Sequence, residues 1–344
     1  MSAPKPSIGF VTWDFCPPMG GMGRHVRSLE VGLRRAGHAV AVLSRSTLRL
    51  PFGRNLLFSL LLGRTLRRWI ADVRPDIVHV HTGPGGVLLL RRPSLCPLVV
   101  TANHTYCDQS RLRGQWWKKF LVPWERRTYQ LADSIVCLSQ DTADSVARAY
   151  GIDTNKLTVI PCGFDVSFFA SFDRPLAARV RTCVFVGRPD FRKGSDLLLE
   201  AWKIVERRVP TARLHLVGFP IRDTSSMLSS VSLSDQELAT LLGTSRTVVC
   251  PSRLEGFGLV AAESIAAGTP VVATNVLGLR SVVSDQKTGL LAELDPRDLA
   301  RKLIAILTDD VLWEQLHRGC RQDRDRFDTR IEIDRYREVY ASMR

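Results

Sequence analysis

Short runs of apolar and β-branched residues alternate along the chain with segments whose apolar positions recur at helical spacing. The runs predict strands in two series. The first series is 8–13, 39–43, 77–81, 98–101, 134–138 and 157–160. The second series is 182–186, 213–217, 247–250, 270–273 and 289–292. Helices are predicted between the strands, for example over 23–36 and 195–205. Because the strands are almost wholly apolar, we expect an α/β protein with parallel sheets covered by helices on both faces.

The two series of strands, together with a length of 344 residues, predict two domains. The N-terminal domain spans 1–168 and the C-terminal domain spans 182–325, joined by an irregular linker over 169–181. The last segment, 326–344, is predicted to be a helix that packs back on the N-terminal domain. The apolar face of this helix consists of Ile333, Tyr336, Val339 and Tyr340.

The composition is typical of a soluble globular protein, with 45% hydrophobic and 24% charged residues. The eight cysteines are scattered without a C-x-x-C pair, so we expect free thiols in a reducing compartment. The apolar stretch at 8–13 is too short for a signal peptide, and no window approaches 18 apolar residues. These features predict a cytoplasmic protein without a membrane-spanning helix.

The net charge of +14 is concentrated in the first half of the chain. Residues 1–170 hold 22 Lys and Arg against 11 Asp and Glu, a balance of +11, and the remainder holds 26 against 23, a balance of +3. A basic half indicates an acidic partner, such as a membrane surface, a phosphorylated substrate or nucleic acid. Because no recognised nucleic-acid motif is present, we do not expect nucleic-acid binding.

The strongest motif, PSRLEGFGLVAAE at 251–263, follows a predicted strand and opens a helix. Gly256 and Gly258 allow backbone N–H groups to approach a ligand, and the start of the helix favours an anion such as a diphosphate. Glu255 and Glu263 are then placed to accept hydrogen bonds from sugar or ribose hydroxyls. The alternative is an ordinary helix start with solvated carboxylates.

A second motif, VGRPDFRKG at 186–194, also joins a strand to a helix. Cations such as Arg188 and Lys193 converge where the helix begins, which the helix dipole disfavours unless an anion lies between them. A departing nucleoside diphosphate would be that anion, and its developing charge would be stabilised there. The alternative is a solvated loop.

A third motif, PPMGGMG at 17–23, again lies between a strand and a helix. It fails as a dinucleotide fingerprint, because Val26 stands where glycine or alanine is required. It still offers a close backbone approach to a ligand. The alternative is a tight turn with no ligand.

These three segments, in this order, resemble the glycosyltransferases of family four. That family has an N-terminal Gly-Gly loop, a G-R-x-x-x-K-G loop and a Glu-x7-Glu helix motif; the second loop here is one residue longer. The segments AAGTPVVA at 266–273 and VIPCGFD at 159–165 also match, apart from Cys162, where the family often has asparagine. The resemblance covers nearly the whole chain. It implies the GT-B fold, in which two Rossmann-like domains have parallel sheets facing across a cleft.

The resemblance also assigns roles to residues. It implies that Glu255 holds sugar hydroxyls, that Glu263 holds the ribose, and that Arg188 and Lys193 hold the diphosphate. A family histidine corresponds best to His104, which keeps the His-Thr pair after Thr101 and would contact the donor sugar or the acceptor. The remaining predicted donor-binding residues are Gly20, Gly21, Gly256, Phe257, Gly258 and Leu259. The family-like pair His79 and His81 is interpreted as packing at the cleft edge.

The resemblance further implies retention of anomeric configuration, with the leaving phosphate helping to take the acceptor proton. It implies no catalytic metal and no cofactor, since the nucleotide sugar is a substrate. The D-x-D string at 323–325 lies in a charged stretch and is interpreted as a solvated face. The chain at 218–231 is shorter than we expect, as if a helix were missing.

Two stretches in the first half, 49–70 and 111–129, are both basic and rich in apolar and aromatic residues. Such amphipathic segments suit a membrane interface with anionic lipid. They predict peripheral attachment to the cytoplasmic face of a membrane and a lipid or lipid-linked acceptor. The alternative is a core-facing stripe with a solvated basic face.

Three other functions remain open at this point. One is transfer to a soluble small molecule or a polysaccharide. Another is a nucleotide-sugar epimerase, which would not need a basic apolar acceptor region. The third is a catalytically dead sugar-binding scaffold, which would lose catalytic groups, whereas this chain keeps Arg188, Lys193, Glu255 and Glu263.

Overall fold

The computed structural model describes residues 5–18, 20–47, 55–83 and 86–343, apart from the side chains of 55–57, 60, 61 and 64. The chain forms two compact units. The first consists of Met1–Phe164 and Thr329–Arg344, and the second of Asp165–Asp328.

Twelve strands and thirteen α-helices lie within the described residues. Strands β1 to β6 are Ile8–Val11, Val40–Leu43, Ile77–Thr82, Leu98–Ala102, Ser134–Cys137 and Leu157–Val159. Strands β7 to β12 are Val180–Val186, Arg213–Val217, Met227–Ser230, Ser245–Cys250, Val271–Thr274 and Gly289–Ala292. Helices α1 to α5 are Gly21–Arg35, Asn55–Val73, Tyr106–Ser110, Val122–Leu131 and Gln140–Tyr150. Helices α6 to α13 are Val166–Ala170, Ser195–Arg208, Asp235–Thr244, Leu259–Ala266, Leu279–Val282, Pro296–Thr308, Asp310–Asp323 and Thr329–Ala341. The 3-10 helices are Trp116–Leu121, Thr154–Lys156, Leu176–Ala178 and Arg324–Phe327.

Each unit of the described chain contains one six-stranded parallel sheet, which confirms the predicted α/β class. The first sheet has the order β2-β1-β3-β4-β5-β6, and the second has the order β12-β11-β10-β7-β8-β9. In each sheet the direction of winding reverses once, between β1 and β3 in the first and between β7 and β10 in the second. Ligands of open α/β sheets bind outside the carboxyl ends of the strands at such a reversal.

The boundary between the units lies after Phe164, whereas the sequence prediction has it after 168. The predicted linker at 169–181 belongs to the second unit. It contains the end of α6, a 3-10 helix and the start of β7, and α6 packs against α9 of the second unit. Arg179, at the end of this stretch, is buried and donates to the backbone of the second unit, for example to Ser245 O at 2.9 Å.

The shortened region at 218–231 holds a strand that the sequence pattern does not predict. Strand β9 pairs in parallel with β8, and the connection between them, 218–226, contains no helix. Parallel neighbours usually need a longer crossover that includes a helix. The connection is therefore short, as the sequence predicts, and strand β9 after it forms the edge of the sheet.

The sheet of the first unit has an apolar core on each face. One core contains Phe10 of β1, Val26 of α1 and the predicted apolar face of α13. All four residues of that face are buried. The other core contains Val11 of β1 with side chains of α2, α4 and α5.

Helix α2 covers most of the first basic apolar stretch, and four of its described apolar side chains face the core. Phe58, Leu62, Leu66 and Ile70 recur every four residues and are buried in the second core of the first unit. The membrane interpretation is therefore wrong for these residues, because they are not available to lipid. Residues 48–54 and several α2 side chains lie outside the described part. No helix of the described residues is long and apolar enough to cross a membrane.

Candidate active site

In the second unit, the two strongest motifs follow the two strands that flank the reversal of winding. Strands β7 and β10 are hydrogen-bonded neighbours, with Cys183 opposite Thr247 and Val184 opposite Val248. Because the strands are parallel, the loops after them emerge at the same edge of the sheet. The topology thus brings together two motifs that are separated by about 60 residues of sequence.

The two loops are in direct contact. Gly194 adopts the left-handed conformation with φ of +69°, and a Cβ atom there would lie 1.8 Å from the carbonyl oxygen of Pro251. The Arg253 N–H donates to the carbonyl oxygen of Arg192 at 2.8 Å. Arg253 also forms a bidentate ion pair with Asp196, at 2.7 and 2.8 Å. The glycine at 194 is thus required both by the backbone angle and by the approach of the second loop.

Glu255 is the centre of a charged cluster between these loops. Its carboxylate pairs with the ammonium group of Lys193 and, at 3.4 Å, with the guanidinium group of Arg192. The hydroxyl of Ser252 donates to the same carboxylate at 2.9 Å. The side chain of Glu255 is only 12% exposed. A buried carboxylate, two cations and a hydroxyl group therefore converge at the edge of the sheet.

The cluster keeps Glu255 ionised. Burial opposes the charged form, but Lys193 and Arg192 together with the hydrogen bonds lower its pKa from 4.5 to about 2. At neutral pH this side chain is a hydrogen-bond acceptor and not a proton donor. That state suits the binding of hydroxyl groups.

Glu263 lies on α9 and is 2% exposed. It reaches the same region, as the thiol of Cys250 at the end of β10 indicates. Burial raises the pKa of that thiol to about 12; Lys193 lowers it, while Glu255 and Glu263 raise it further. Lys193, Glu255 and Glu263, three of the four predicted charged residues, therefore lie near the partly buried thiol of Cys250.

Helix α9 begins beside the cluster. Gly258 precedes its first residue with φ of +103°, and a Cβ atom there would lie 2.8 Å from Leu279 Cδ2. Within the described chain, no side chain caps the first turn of α9, so its N–H groups favour an anion. The ring of Phe257 is buried and packs edge to face on Phe327. A donor contact at Phe257 would therefore involve its backbone.

The loop after β7 presents Arg192 to the cluster in addition to the predicted Lys193, whereas the predicted Arg188 forms no ion pair with Glu255. Arg188 is exposed and forms no ion pair with the described residues, whereas Arg192 contacts Glu255. Arg192 also donates to Leu254 O at 3.1 Å. Asp190 accepts from the Lys193 N–H at 2.7 Å and so shapes the turn. Relative to the family motif, this loop has one additional residue. That difference is the sequence signal that could have drawn attention to Arg192.

In the first unit, the glycine motif leads into α1. Gly20 and Gly21 are exposed, and Met19 lies outside the described residues. The Gly23 N–H donates to the carboxylate of Asp14 at 3.1 Å, and a Cβ atom at Gly23 would lie 2.5 Å from Asp14 Cγ. The start of α1 is thus held close to an acidic side chain, which sequence reasoning did not single out.

His104 lies in the loop directly after β4 and is half-buried. The residues on both sides of it are fixed. The Asn103 side chain donates to Thr82 O at 2.9 Å, and the Thr105 hydroxyl caps α3 by accepting from the Asp108 N–H at 2.9 Å. This loop belongs to the carboxyl edge of the first sheet.

His79 and His81 do lie on one side of β3, but both are wholly buried. Their rings stack with centroids 4.5 Å apart, and His79 bonds to Thr101 and Tyr340, each at 2.7 Å. Burial lowers the pKa of His79 to about 3. They are therefore part of a buried polar network in the first unit.

The same network contains an ion pair that sequence reasoning missed. His25 of α1 bonds to Glu332 of α13 at 2.5 Å, and both side chains are 1% exposed. Burial opposes the charged form of His25, but Cys162 and Glu332 raise its pKa well above the ordinary value. Cys162, which departs from the family pattern, is thus a neighbour of this pair.

The chain matches two protein-family models. The one described as Glycosyltransferase Family 4 covers residues 19–168, and the one described as Glycosyl transferases group 1 covers residues 180–309. Similar proteins include the D-inositol 3-phosphate glycosyltransferase of Xylanimonas cellulosilytica, which is 30% identical over 77% of this chain and 72% of that protein. The phosphatidyl-myo-inositol mannosyltransferase of Mycolicibacterium smegmatis is 28% identical over 98% of this chain and 94% of that protein.

Among solved structures, sucrose-phosphate synthase from Thermosynechococcus elongatus has the same fold, with a TM-score of 0.82 at 20% identity. The similarity covers 98% of this chain and 100% of that one. The two parallel sheets, the order of the motifs along the chain and these relatives all indicate the same family. The chain belongs to glycosyltransferase family 4 and is a nucleotide-sugar-dependent glycosyltransferase with the GT-B fold.

Proposed function

We propose that this protein is a retaining hexosyltransferase. It moves a hexose-type sugar from a nucleoside-diphosphate sugar to an acceptor hydroxyl on a lipid or a lipid-linked glycan at a membrane surface. The observation that carries the donor half of the proposal is the convergence of Lys193, Arg192 and Glu255 at the point where β7 and β10 lie side by side.

The donor diphosphate binds to the cations and to the open N–H groups of α9. Its oxygens compete with Glu255 for Lys193 and Arg192, which releases the Glu255 carboxylate to accept hydrogen bonds from sugar hydroxyls. Glu263 accepts from the ribose hydroxyls. Fixed cations beside the diphosphate are worth most when its negative charge grows as the bond to the sugar breaks.

In the proposed reaction, the bond between the anomeric carbon and the diphosphate oxygen breaks. The acceptor oxygen forms a bond to the same face of that carbon, and its proton moves to the departing diphosphate oxygen. Retention of configuration follows from attack on the same face. His104 and the loop with Gly20 and Gly21 remain predicted contacts to the sugar or the acceptor and to the diphosphate.

No divalent metal takes part in this scheme, and no cofactor is required. The role that a metal ion plays in some transferases, which is to neutralise the diphosphate, falls here to Lys193 and Arg192. Their positive charges lie beside Glu255 at the loop where the donor is proposed to bind.

The proposed membrane contact rests on one exposed segment, the 3-10 helix Trp116–Leu121. Trp116, Trp117 and Phe120 are 61%, 47% and 65% exposed. Lys119 lies over the rings of Trp116 and Phe120 at 5.5 Å, and Lys118 lies over the ring of Trp117 at the same distance. Exposed aromatic rings with lysines favour an interface with anionic lipid. We call this segment the aromatic–lysine segment.

The names of the relatives include both a phosphatidylinositol acceptor and a soluble inositol phosphate acceptor. The exposed aromatic–lysine segment favours the lipid for this chain, because a soluble acceptor gives no reason for three exposed aromatic rings. We therefore propose peripheral attachment on the cytoplasmic face, where eight free cysteines are also expected. Transfer to a soluble acceptor is the second candidate.

The test begins with isothermal titration of the whole chain with UDP, GDP and ADP sugars. The donor that binds is then incubated with vesicles that contain phosphatidylinositol and, separately, with soluble inositol phosphate. Product is identified by mass, and the configuration of the new linkage is determined by NMR. An inverted linkage would contradict retention, and product from the soluble acceptor alone would contradict the lipid proposal. Donor isomerised without acceptor would indicate an epimerase, and binding without any turnover would indicate a scaffold.

A further inference from the structure

Glu125 of α4 is a fully buried carboxyl group in the first unit. It accepts hydrogen bonds from the Tyr106 N–H at 2.7 Å, from the Tyr150 hydroxyl, and from the Tyr129 hydroxyl at 3.4 Å. Within the described residues it forms no ion pair. Burying an ionisable group without a cation is costly, so such a position needs a reason beyond packing.

The three donors are not equivalent, because two of them connect to the loop after β4 that carries His104. We call this loop the His104 loop. Tyr106 is the first residue of α3 and lies two positions after His104. The Tyr150 hydroxyl reaches the Thr105 side chain and also accepts from the Cys107 N–H at 3.4 Å. The carboxyl–phenol pair of Glu125 and Tyr150 thus holds the three residues that follow His104.

Helix α3 also contacts the aromatic–lysine segment. That segment runs directly into α4, which carries Glu125, and it packs on α3. The Lys118 ammonium donates to the Gln109 side chain of α3 at 2.6 Å. The short helix α3 therefore contacts both Glu125, through its first turn, and the exposed segment, through Gln109.

We propose that Glu125, together with Tyr150, is a positioning residue that fixes the His104 loop for sugar transfer through the first turn of α3. The proposal rests on the proposed function only in giving His104 a contact to the sugar or the acceptor. Glu125 itself touches no substrate in this scheme.

The protonation state of Glu125 changes what it can do at this point. Burial raises its pKa to about 8, although its hydrogen bonds to Tyr150, Tyr106 and Tyr129 oppose that shift and Asp108 adds to it. The ionised carboxylate accepts from all three donors, whereas the protonated group must donate once. The titratable groups that face it are Tyr129 on its own helix, Tyr150 on α5, and Cys107 and Asp108 on α3. The hydrogen bonds between Glu125 and the residues around the first turn of α3 therefore change as the pH rises through about 8.

Three variants of the whole chain test the proposal by activity. Glu125→Gln keeps the shape but removes the ionisation, and Tyr150→Phe removes the hydroxyl that reaches Thr105 and Cys107. Tyr129→Phe is the matched control, because in the described chain the Tyr129 hydroxyl bonds to Glu125 and not to the residues that follow His104. We expect the first two to lower kcat by about tenfold or more, the scale of a group misplaced by a fraction of 1 Å, with KM for the donor within about twofold. We expect Tyr129→Phe to stay within about twofold of the wild type.

The pH profile separates positioning from simple loss of structure. The wild type should show an inflection of kcat near pH 8 that Glu125→Gln lacks while its thermal unfolding stays cooperative. If Glu125→Gln unfolds, Tyr150→Phe carries the test through its kcat. A wild-type kcat in both variants, or an unchanged inflection in Glu125→Gln, would overturn the proposal.

A measurement without turnover distinguishes this proposal from the proposed function. The imidazole signals of the seven histidines are observed by NMR in labelled protein, and His104 is assigned with His104→Gln. The His104 signal should shift with an inflection near pH 8 in the wild type and in Tyr129→Phe, but not in Glu125→Gln. If the His104 signal behaves in this way but the protein transfers no sugar, the positioning proposal is supported and the proposed function is wrong. If sugar is transferred and the His104 signal keeps its inflection near pH 8 in Glu125→Gln, the positioning proposal is wrong.

Discussion

The carboxylate of Glu255 is bound to the ammonium group of Lys193, although the two residues lie in loops after different strands. The pair exists because β7 and β10 are neighbours and because Gly194 lets the two loops touch. Without donor, the carboxylate and the ammonium group therefore neutralise each other's charge. In the proposed function, a diphosphate and a sugar offer Lys193 and Glu255 separate partners, so that donor binding would exchange one ion pair for two sets of contacts.

Removing either member of this pair should abolish transfer and leave the fold intact. For Lys193→Ala and Glu255→Ala we expect a loss of about 3 kcal/mol of transition-state stabilisation, or a reduction in kcat/KM of more than about a hundredfold. Steady-state kinetics and thermal unfolding provide the measurement. The matched control is Lys287→Ala, which removes an exposed lysine paired with Asp323 in the same unit. Wild-type turnover by either site variant would exclude that residue from the active site.

Gly194→Ala should be markedly more destabilising than Gly151→Ala. Both glycines are left-handed, with φ of +69° and +64°, so both substitutions cost about 1–2 kcal/mol for the backbone angle. Only at Gly194 does the new Cβ meet the carbonyl of Pro251; at Gly151 the nearest atom is Arg126 Nη2 at 3.7 Å. Urea unfolding and donor titration measure the difference. Equal destabilisation of the two variants would show that the contact between the loops is not rigid.

The His25–Glu332 ion pair should stabilise the protein more at low pH than at high pH. The pKa of His25 is raised in the folded state, so its contribution is fully present below the ordinary value of about 6.5 and is lost as the pH rises through the folded pKa. Breaking a buried pair typically costs about 3–5 kcal/mol. We therefore expect Glu332→Gln to lower the free energy of unfolding most near pH 6 and progressively less toward pH 10. A deficit that grows with pH would contradict the assignment of charges.

Transfer activity should survive treatment with EDTA, because we propose that Lys193 and Arg192 neutralise the diphosphate in place of a metal ion. The assay is initial rate with and without chelator, followed by addition of Mg²⁺ or Mn²⁺. A rate that falls to zero and recovers with either ion would require a metal in the mechanism.

The aromatic–lysine segment should bind anionic vesicles reversibly and leave neutral vesicles largely alone. Each lysine near an anionic surface contributes about 1 kcal/mol, and the exposed rings add an apolar term. A variant with Trp116, Trp117, Lys118 and Lys119 changed to serine should lose most of this binding in co-sedimentation. The control changes the exposed Arg67 and Arg68 of α2 to serine, which removes the same charge without the aromatic rings. Wild-type protein that stays in the supernatant at low salt would show that the membrane proposal is wrong.

The sheets and their motifs could be predicted from the sequence because apolar periodicity is a local property. All eleven predicted strands are present, and the one missed strand, β9, is serine-rich and lies in the shortened region. Pattern alone could not assign the apolar face of α2, since a core-facing stripe and a membrane-facing stripe look the same in sequence. The burial of Phe58 and Leu66 decides the question for the described part of that helix.

At the candidate site, the sequence singles out the two loops that come into contact but does not predict that Arg192 contacts Glu255. Arg188 matches the family motif, yet Arg192 is the one in contact, because that choice depends on the path of a loop that has one more residue. The buried partners Glu125 and His25 are also invisible to pattern analysis. Their neighbours come from distant segments, and only the folded chain brings them together.

The pairing of α1 with α13 also sets the order in which the protein can be completed during synthesis. His25 and Glu332 are 307 positions apart, so the polar network around α1 stays open until α13 has left the ribosome. The second unit, by contrast, is continuous in sequence and has all of its strands by Ala292. The first unit therefore closes only after the second unit has been synthesised, and a nascent chain would gain the proposed donor loops before it gains a closed N-terminal core.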